Sequence, residues 1–148
     1  ECTFYNVRSG SVIVAPRQKT AKYGYVFRNC IVDGNSAAAD GNQRLGRPWH
    51  DSPKTVYIQT TMRIPIHPEG WMDMGSVPAL FAEYGSRDTT GNLLDLSQRK
   101  TEYNGRDGVS GSCRTTLTKD EADKLVYENI IPGDDGWDPR RMIKLNSP

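Results

Sequence analysis

The sequence predicts an all-β chain, and three observations lead there. Five runs rich in Val, Ile, Tyr, Phe and Thr fill the first two thirds, each bounded by Gly, Pro, Asn or Asp. Between them no apolar spacing of the helical kind recurs, so alternating strand–helix units do not fit. The chain also carries 14 Gly and 9 Pro in 148 residues, which favours many turns and few long helices.

The runs are CTFYNV at 2–7, SVIVA at 11–15, GYVFRNCIVDG at 24–34, TVYIQTTM at 55–62 and PALFAEYG at 78–85. The first and third share a faint likeness, CTFYN beginning at Cys2 and CIVDG beginning at Cys30, 28 residues apart. A period in the range of 20–50 residues is the mark of solenoid coils. A β-sandwich with uneven loops accounts for the same strands, and the pattern alone leaves both open. One helix is legible near the end. Thr118 and Glu121 form a capping box, Asp120 and Glu121 sit at the positive helix end, and Ala122, Leu125, Val126 and Asn129 follow at the helical period. Pro132-Gly133 stops it, and residues 133–148 read as a loop around Trp137. Leu117, Leu125, Ile130 and Ile131 would pack this helix on the strands. No linker divides residues 1–148 into separate domains.

Composition narrows the function. Nineteen Lys and Arg against eighteen Asp and Glu give a net charge of +1, too even for a dedicated nucleic-acid binder. No run of ~18 apolar residues could span a membrane. No signal segment opens the chain. Cys2, Cys30 and Cys113 have no C-x-x-C spacing, and His50 and His67 are the only histidines, so a zinc site is not expected. Asp33, Asn35 and Asp40 miss the EF-hand spacing and read as a solvated turn. There is no Gly-x-Ser-x-Gly elbow. His50, Asp51 and Ser52 are adjacent in one loop, whereas a catalytic triad draws on distant residues, so they read as turn formers. Arg17, Lys19, Lys22 and Arg44 read mostly as surface charge, with some able to line an anionic cleft. Tyr57, Phe81 and Tyr84 read as core.

The stretch Leu45-Gly46-Arg47-Pro48-Trp49-His50 carries the most chemistry. Gly46 frees the backbone while Pro48 fixes its own φ and restricts Arg47, which predicts a stiff loop showing a guanidinium and an indole side by side. Such an Arg can clamp a carboxylate and such a Trp can stack on a sugar ring. The plainer reading is an Arg–Asp surface pair beside a packing Trp.

LGRPW at 45–49 does not stand alone. GYVFRNC precedes it, TVYIQT, Gly70-Trp71-x-x-Met74 and FAEY at 81–84 follow, and TLTKDEADKL and GWDP close the series. In this order, over nearly the whole chain, the segments resemble the C-terminal half of pectin methylesterases. The resemblance implies a right-handed parallel β-helix, seen here in part, with coils over about residues 1–95 and a short helix and tail over about 96–148. On that fold Cys2 and Cys30 would stack in neighbouring coils, ~4.8 Å apart, rather than bond.

The resemblance also implies an aspartyl esterase. One Asp attacks the methyl ester of a galacturonate, a second serves as acid and then base, and Gln side chains hold the oxyanion. By position, the Arg that orients the attacking Asp is Arg47, and Trp49 lines the substrate cleft. Met74 corresponds to a substrate-contacting Met of the bacterial branch, which points to a bacterial-type member, and Ser52, three residues past Trp49, could touch substrate. Both catalytic Asp and the oxyanion Gln belong to motifs N-terminal to anything in this chain. Residues 1–148 are therefore expected to be a C-terminal fragment, inactive alone and prone to self-association through an open N-terminal coil. The implied partner is pectin, that is, methylated polygalacturonate, with no metal or organic cofactor, no nucleic acid and no membrane. The implied location is secreted or periplasmic. A different class of function on the same fold is a non-catalytic module that binds acidic polysaccharide, and the upstream sequence would separate the two. A polysaccharide lyase is disfavoured because the calcium carboxylates it needs are not found.

Overall fold

The strand-like runs stack as coils, not as two facing antiparallel sheets. A computed structural model describes residues 1–141. Among them the strands are, in chain order, β1 (Thr3–Asn6), β2 (Val12–Val14), β3 (Arg17–Gln18), β4 (Tyr25–Arg28), β5 (Ile31–Gly34), β6 (Arg44–Gly46), β7 (His50–Asp51), β8 (Lys54–Ile58), β9 (Thr61–Met62), β10 (Leu80–Tyr84), β11 (Glu102–Asn104) and β12 (Ser110–Ser112). Four sheets hold only parallel pairs: β1-β5-β9, β4-β8-β10, β2-β6 and β3-β7. Thr3 faces Ile31, Ile31 faces Thr61, and Thr61 bridges Arg87. The chain thus returns to one wall after 28 residues (3 to 31), then 30 (31 to 61), then 26 (61 to 87). This is a parallel β-helix, and the spacing of Cys2 and Cys30 was its first turn. All three cysteines are free, Cys30 buried and Cys2 exposed.

Each long run in the sequence is two strands joined by a corner. GYVFRNCIVDG breaks at Asn29 (φ 52°) and TVYIQTTM at Gln59 (φ 52°), and the next coil turns at Gly85 (φ 67°). These left-handed positions stack: Asn29 N–H donates to Ile58 C=O at 2.9 Å, and Gln59 N–H to Tyr84 C=O at 2.7 Å. An apolar run through a corner looks continuous because residues on both sides face the same interior.

Parallel register places like positions above one another, and aromatic rings fill the interior. Centroids run Phe4–Phe27 5.1 Å, Phe27–Tyr57 4.9 Å, Tyr57–Trp71 5.9 Å, Trp71–Phe81 4.6 Å and Phe81–Tyr103 6.0 Å. Edge-on and offset pairs at these separations add to the area they bury. Tyr57 and Phe81 are core as expected, and Tyr57 Oη donates to Leu45 C=O at 2.9 Å, satisfying its buried hydroxyl. Burial, with the nearby Glu83 charge second, pushes the Tyr57 phenol well above its ordinary value. β11 and β12 form an antiparallel hairpin that the sequence did not announce.

The chain divides into two compact units, Glu1–Leu117 and a second beginning at Thr118. In the second, the capping box forms: Thr118 Oγ1 accepts from Glu121 N–H at 3.2 Å, and Glu121 Oε1 from Thr118 N–H at 3.1 Å. The single helix expected through Asn129 is instead two, α1 (Lys119–Lys124) and α2 (Tyr127–Ile130). Leu125 (φ −88°, ψ 65°) and Val126 (φ −117°, ψ 162°) leave the helical region between them. Val126 is β-branched and suits extended backbone. Asn129 is the other half of the explanation, since its side chain caps α1 by donating to Lys124 C=O at 2.8 Å. The loop expected over 133–148 turns helical at 139–141, and residues 142–148 lie outside the described part.

Candidate functional site

β6 ends at Gly46, and residues 47–49 run on outside any strand to β7. After β6, Arg47 N–H donates to Val14 C=O at 3.1 Å and Trp49 N–H to Pro16 C=O at 3.2 Å, both in the preceding coil. Toward the following coil, Leu45 N–H donates to Gly70 C=O at 2.7 Å, and Gly46 C=O accepts from Met72 N–H at 3.2 Å. The donors at 47 and 49 both serve the preceding coil, whereas Leu45 serves the following one. The intervening position is occupied by Pro48, which has no N–H to leave unsatisfied. Ser76 Oγ completes the clamp by donating to Pro48 C=O at 3.3 Å.

Pro48 is buried, whereas Arg47 is half-buried and Trp49 is 43% exposed. Arg47 and Trp49 stand two residues apart on the segment leading into β7. The Nε of Arg47 is buried, with no hydrogen-bond partner among the described residues. A guanidinium donor left this way costs more than an exposed one, because desolvation is not repaid. An Arg–Asp pair does lie beside Trp49, but its cation is Arg17. The Arg17 guanidinium stands 5.8 Å from the indole centroid, and its Nε reaches Asp51 Oδ2 at 3.4 Å. Desolvation pushes the Asp51 carboxyl up, but Arg17 and His50 outweigh it and hold it below the usual range.

Ser52 is exposed and lines a groove of about 260 Å³ with His50, Gly75, Ser76 and Arg106. Met74 comes from the next coil, half-buried and one residue before Gly75. Gly75 lies against Trp49: a Cβ there would sit 3.2 Å from Trp49 C=O. The structure therefore brings Arg47, Trp49 and Ser52 on one coil beside the segment carrying Met74. Asp73 fastens that segment to the hairpin, accepting from Asn104 N–H at 3.0 Å and pairing with Lys100 at 3.5 Å. Arg17 was flagged only as possible cleft charge, and Arg106 was not singled out. Neither had a sequence signal, since Arg17 reaches the site through register between coils and Arg106 through the turn of the β11–β12 hairpin.

Among the described residues no cluster of three His, Cys, Asp or Glu side chains could hold a metal ion. Asp33 is occupied by Gly34 N–H and by Arg63 at 3.3 Å, and Asp40 by Ser9 and Asn42. No helix among these residues is long and apolar enough to cross a membrane.

Residues 8–134 match the family model described as Pectinesterase. The chain belongs to the pectinesterase family. Two relatives from Arabidopsis thaliana are similar over most of it. Probable pectinesterase/pectinesterase inhibitor 47 is 35% identical over 133 residues, covering 86% of this chain and 19% of the relative. Probable pectinesterase/pectinesterase inhibitor 46 is 28% identical over 136 residues, covering 89% and 22%. The chain thus spans about a fifth of the length of these relatives. Two solved structures share the fold. A pectin methylesterase D178A mutant in complex with hexasaccharide IV superposes with a TM-score of 0.61 at 18% identity, over 93% of this chain and 44% of that one. The deglycosylated pectin methylesterase of Aspergillus niger gives 0.54 at 23% identity, over 74% and 36%. These matches support the β-helix of this family member.

Proposed function

We propose that this chain is the C-terminal part of a pectin methylesterase, which hydrolyses methyl esters of polygalacturonate to methanol and pectate. The observation that carries the reading is the Arg47 guanidinium, its Nε buried without a partner among the described residues, two positions before the exposed indole of Trp49. A donor so placed is suited to orient an attacking carboxylate, and the ring beside it to stack on a sugar. In this reading Arg47 positions the nucleophilic Asp, which lies outside residues 1–148, while Trp49, Met74 and Ser52 contact the polymer. The mechanism is that of an aspartyl esterase, acting outside the cell or in the periplasm without a cofactor, and Met74 favours the bacterial branch.

Methanol release tests it. In the full-length protein Arg47→Ala should lower kcat about 10- to 150-fold, the equivalent of a charged hydrogen bond of ~1.5–3 kcal/mol. Trp49→Ala should instead raise KM. Residues 1–148 alone should release no methanol. Activity from this chain by itself, or an Arg47→Ala enzyme of full kcat, would sink the assignment. A full-length protein that binds pectin and releases no methanol would favour the non-catalytic polysaccharide binder. The first coil adds a second part of the proposal. β1 and β4 are outer strands of their sheets, and Tyr5, Val7 and Tyr25 are exposed there, so the chain should associate with copies of itself.

A further inference from the structure

Arg17 carries a charge that the proposed reaction does not use. Parallel pairing of β3 with β7 sets Arg17 opposite His50 and Gln18 opposite Asp51. One residue back, Pro16 C=O accepts from Trp49 N–H at 3.2 Å, and one coil position on, Gln18 Oε1 accepts from Lys54 N–H at 2.8 Å. The backbone that carries Trp49 is therefore fixed to the coil that carries Arg17.

Backbone pairing does not fix the indole. Trp49 is 43% exposed, and a ring on an open face turns about its side-chain bonds unless a neighbour holds it. Arg17 is that neighbour. Its guanidinium carbon lies over the ring, 5.8 Å from the centroid and within the range of a cation–π contact. Its Nε donates to Asp51 Oδ2 at 3.4 Å. Asp51 itself stands at φ 61°, and its N–H donates to His50 Nδ1 at 2.9 Å, so the carboxylate sits on a turn held by its own neighbour. The guanidinium is thus anchored by a carboxylate on one side and placed over the indole on the other. A planar guanidinium can do both at once, pairing through its edge while its face meets a ring.

We propose that Arg17 is a positioning residue, holding the Trp49 indole in the orientation that receives a sugar ring without binding the polymer itself. The proposal rests on the reading of Trp49 as a stacking platform. A direct ligand for the carboxylates of the polymer would act whether or not the indole is present. A positioning residue acts only through the indole.

Methanol-release kinetics on a double-variant cycle in the full-length protein test it. Arg17→Met, which keeps an aliphatic stem and removes the charge, should raise KM about two- to fivefold with kcat unchanged. Arg17→Lys should recover part of the loss. In a Trp49→Ala background Arg17→Met should raise KM no further. The fluorine resonance of Trp49 in protein labelled with fluorotryptophan, assigned by its loss in Trp49→Ala, should shift or broaden in Arg17→Met while the thermal midpoint stays the same. An equal rise of KM in both backgrounds, an unchanged KM in Arg17→Met, or an unmoved resonance would each overturn this proposal and leave the role of Trp49 intact. An unchanged KM in Trp49→Ala would overturn the platform reading, and this inference with it.

Discussion

Arg99→Met should be among the most destabilising single changes in this chain, and the register explains why. Glu83 stands opposite Tyr57, and Tyr57 opposite Phe27, so a carboxylate occupies the third rung of an otherwise aromatic line. It is fully buried. Its Oε2 accepts from Arg99 Nε at 2.6 Å, and its Oε1 from Arg99 Nη2 at 3.3 Å and Ser86 Oγ at 2.8 Å. Arg99 also donates to Pro68 C=O at 3.0 Å, and it passes so close to Gly70 that a Cβ there would lie 2.5 Å from its Cδ. Removing the guanidinium leaves the carboxylate with one hydroxyl donor among the described residues, and breaking such a buried pair costs about 3–5 kcal/mol. Against a total of ~5–15 kcal/mol this is a large fraction. Replacing both ends, Glu83→Leu with Arg99→Met, removes the charge along with its partner and should recover most of the loss. Urea unfolding followed by tryptophan fluorescence gives all three values. A single-variant loss under ~1 kcal/mol, or a double variant no better than the worse single, would refute the account.

Three further outcomes follow from the geometry. Gln59→Gly should stabilise by about 0.5–1 kcal/mol in the same assay, because an ordinary residue at φ 52° bears a left-handed penalty that Gly avoids, as Gly85 does one coil on; a loss of stability would count against it. Stability should fall on acidification below about pH 4. Hydrogen bonds from Ser9 and Asn42 hold the Asp40 carboxyl below its ordinary range, those from Thr90 and Asn92 hold Asp88, and that from Ser97 holds Asp95. A depressed folded value contributes stability above the unfolded value near ~3.9, and the contribution is lost as pH falls through the folded one. A urea midpoint that is flat or rising from pH 5 to pH 3 would contradict this. Light scattering on residues 1–148 should show mass growing with concentration, through the edges at β1 and β4; a constant monomer mass would remove that part of the proposal.

The coil body was legible because its cause is local and repeated. Apolar and aromatic side chains that face one interior give runs visible in sequence, and CTFYN with CIVDG showed the period. What stayed hidden was pairing. Gly46 and Pro48 are turn residues by local rule, yet the backbone at 44–49 is tied to the coils on both sides, which no local signal shows. Asn29 and Gln59 sit inside apolar runs and gave no hint of a corner. Glu83 and Arg99 are distant charges in sequence, and nothing local marks them as a pair. The helix failed for the opposite reason: its periodicity was real, but Asn129 is used as a cap for α1 and not as a continuation of it.

The site depends on coil stacking more than on its own motif. Pro16 lies level with Trp49 in the preceding coil, and Gly75 lies against Trp49 from the following one. Arg17, from the preceding coil, adds to this: its guanidinium stands 5.8 Å from the indole centroid, and its Nε reaches Asp51 Oδ2 at 3.4 Å, two residues past Trp49. The Trp49 position is therefore set by partners on the coils before and after it, none of which is adjacent to it in sequence. A change in any one of those coils would move the indole while LGRPW itself stayed the same.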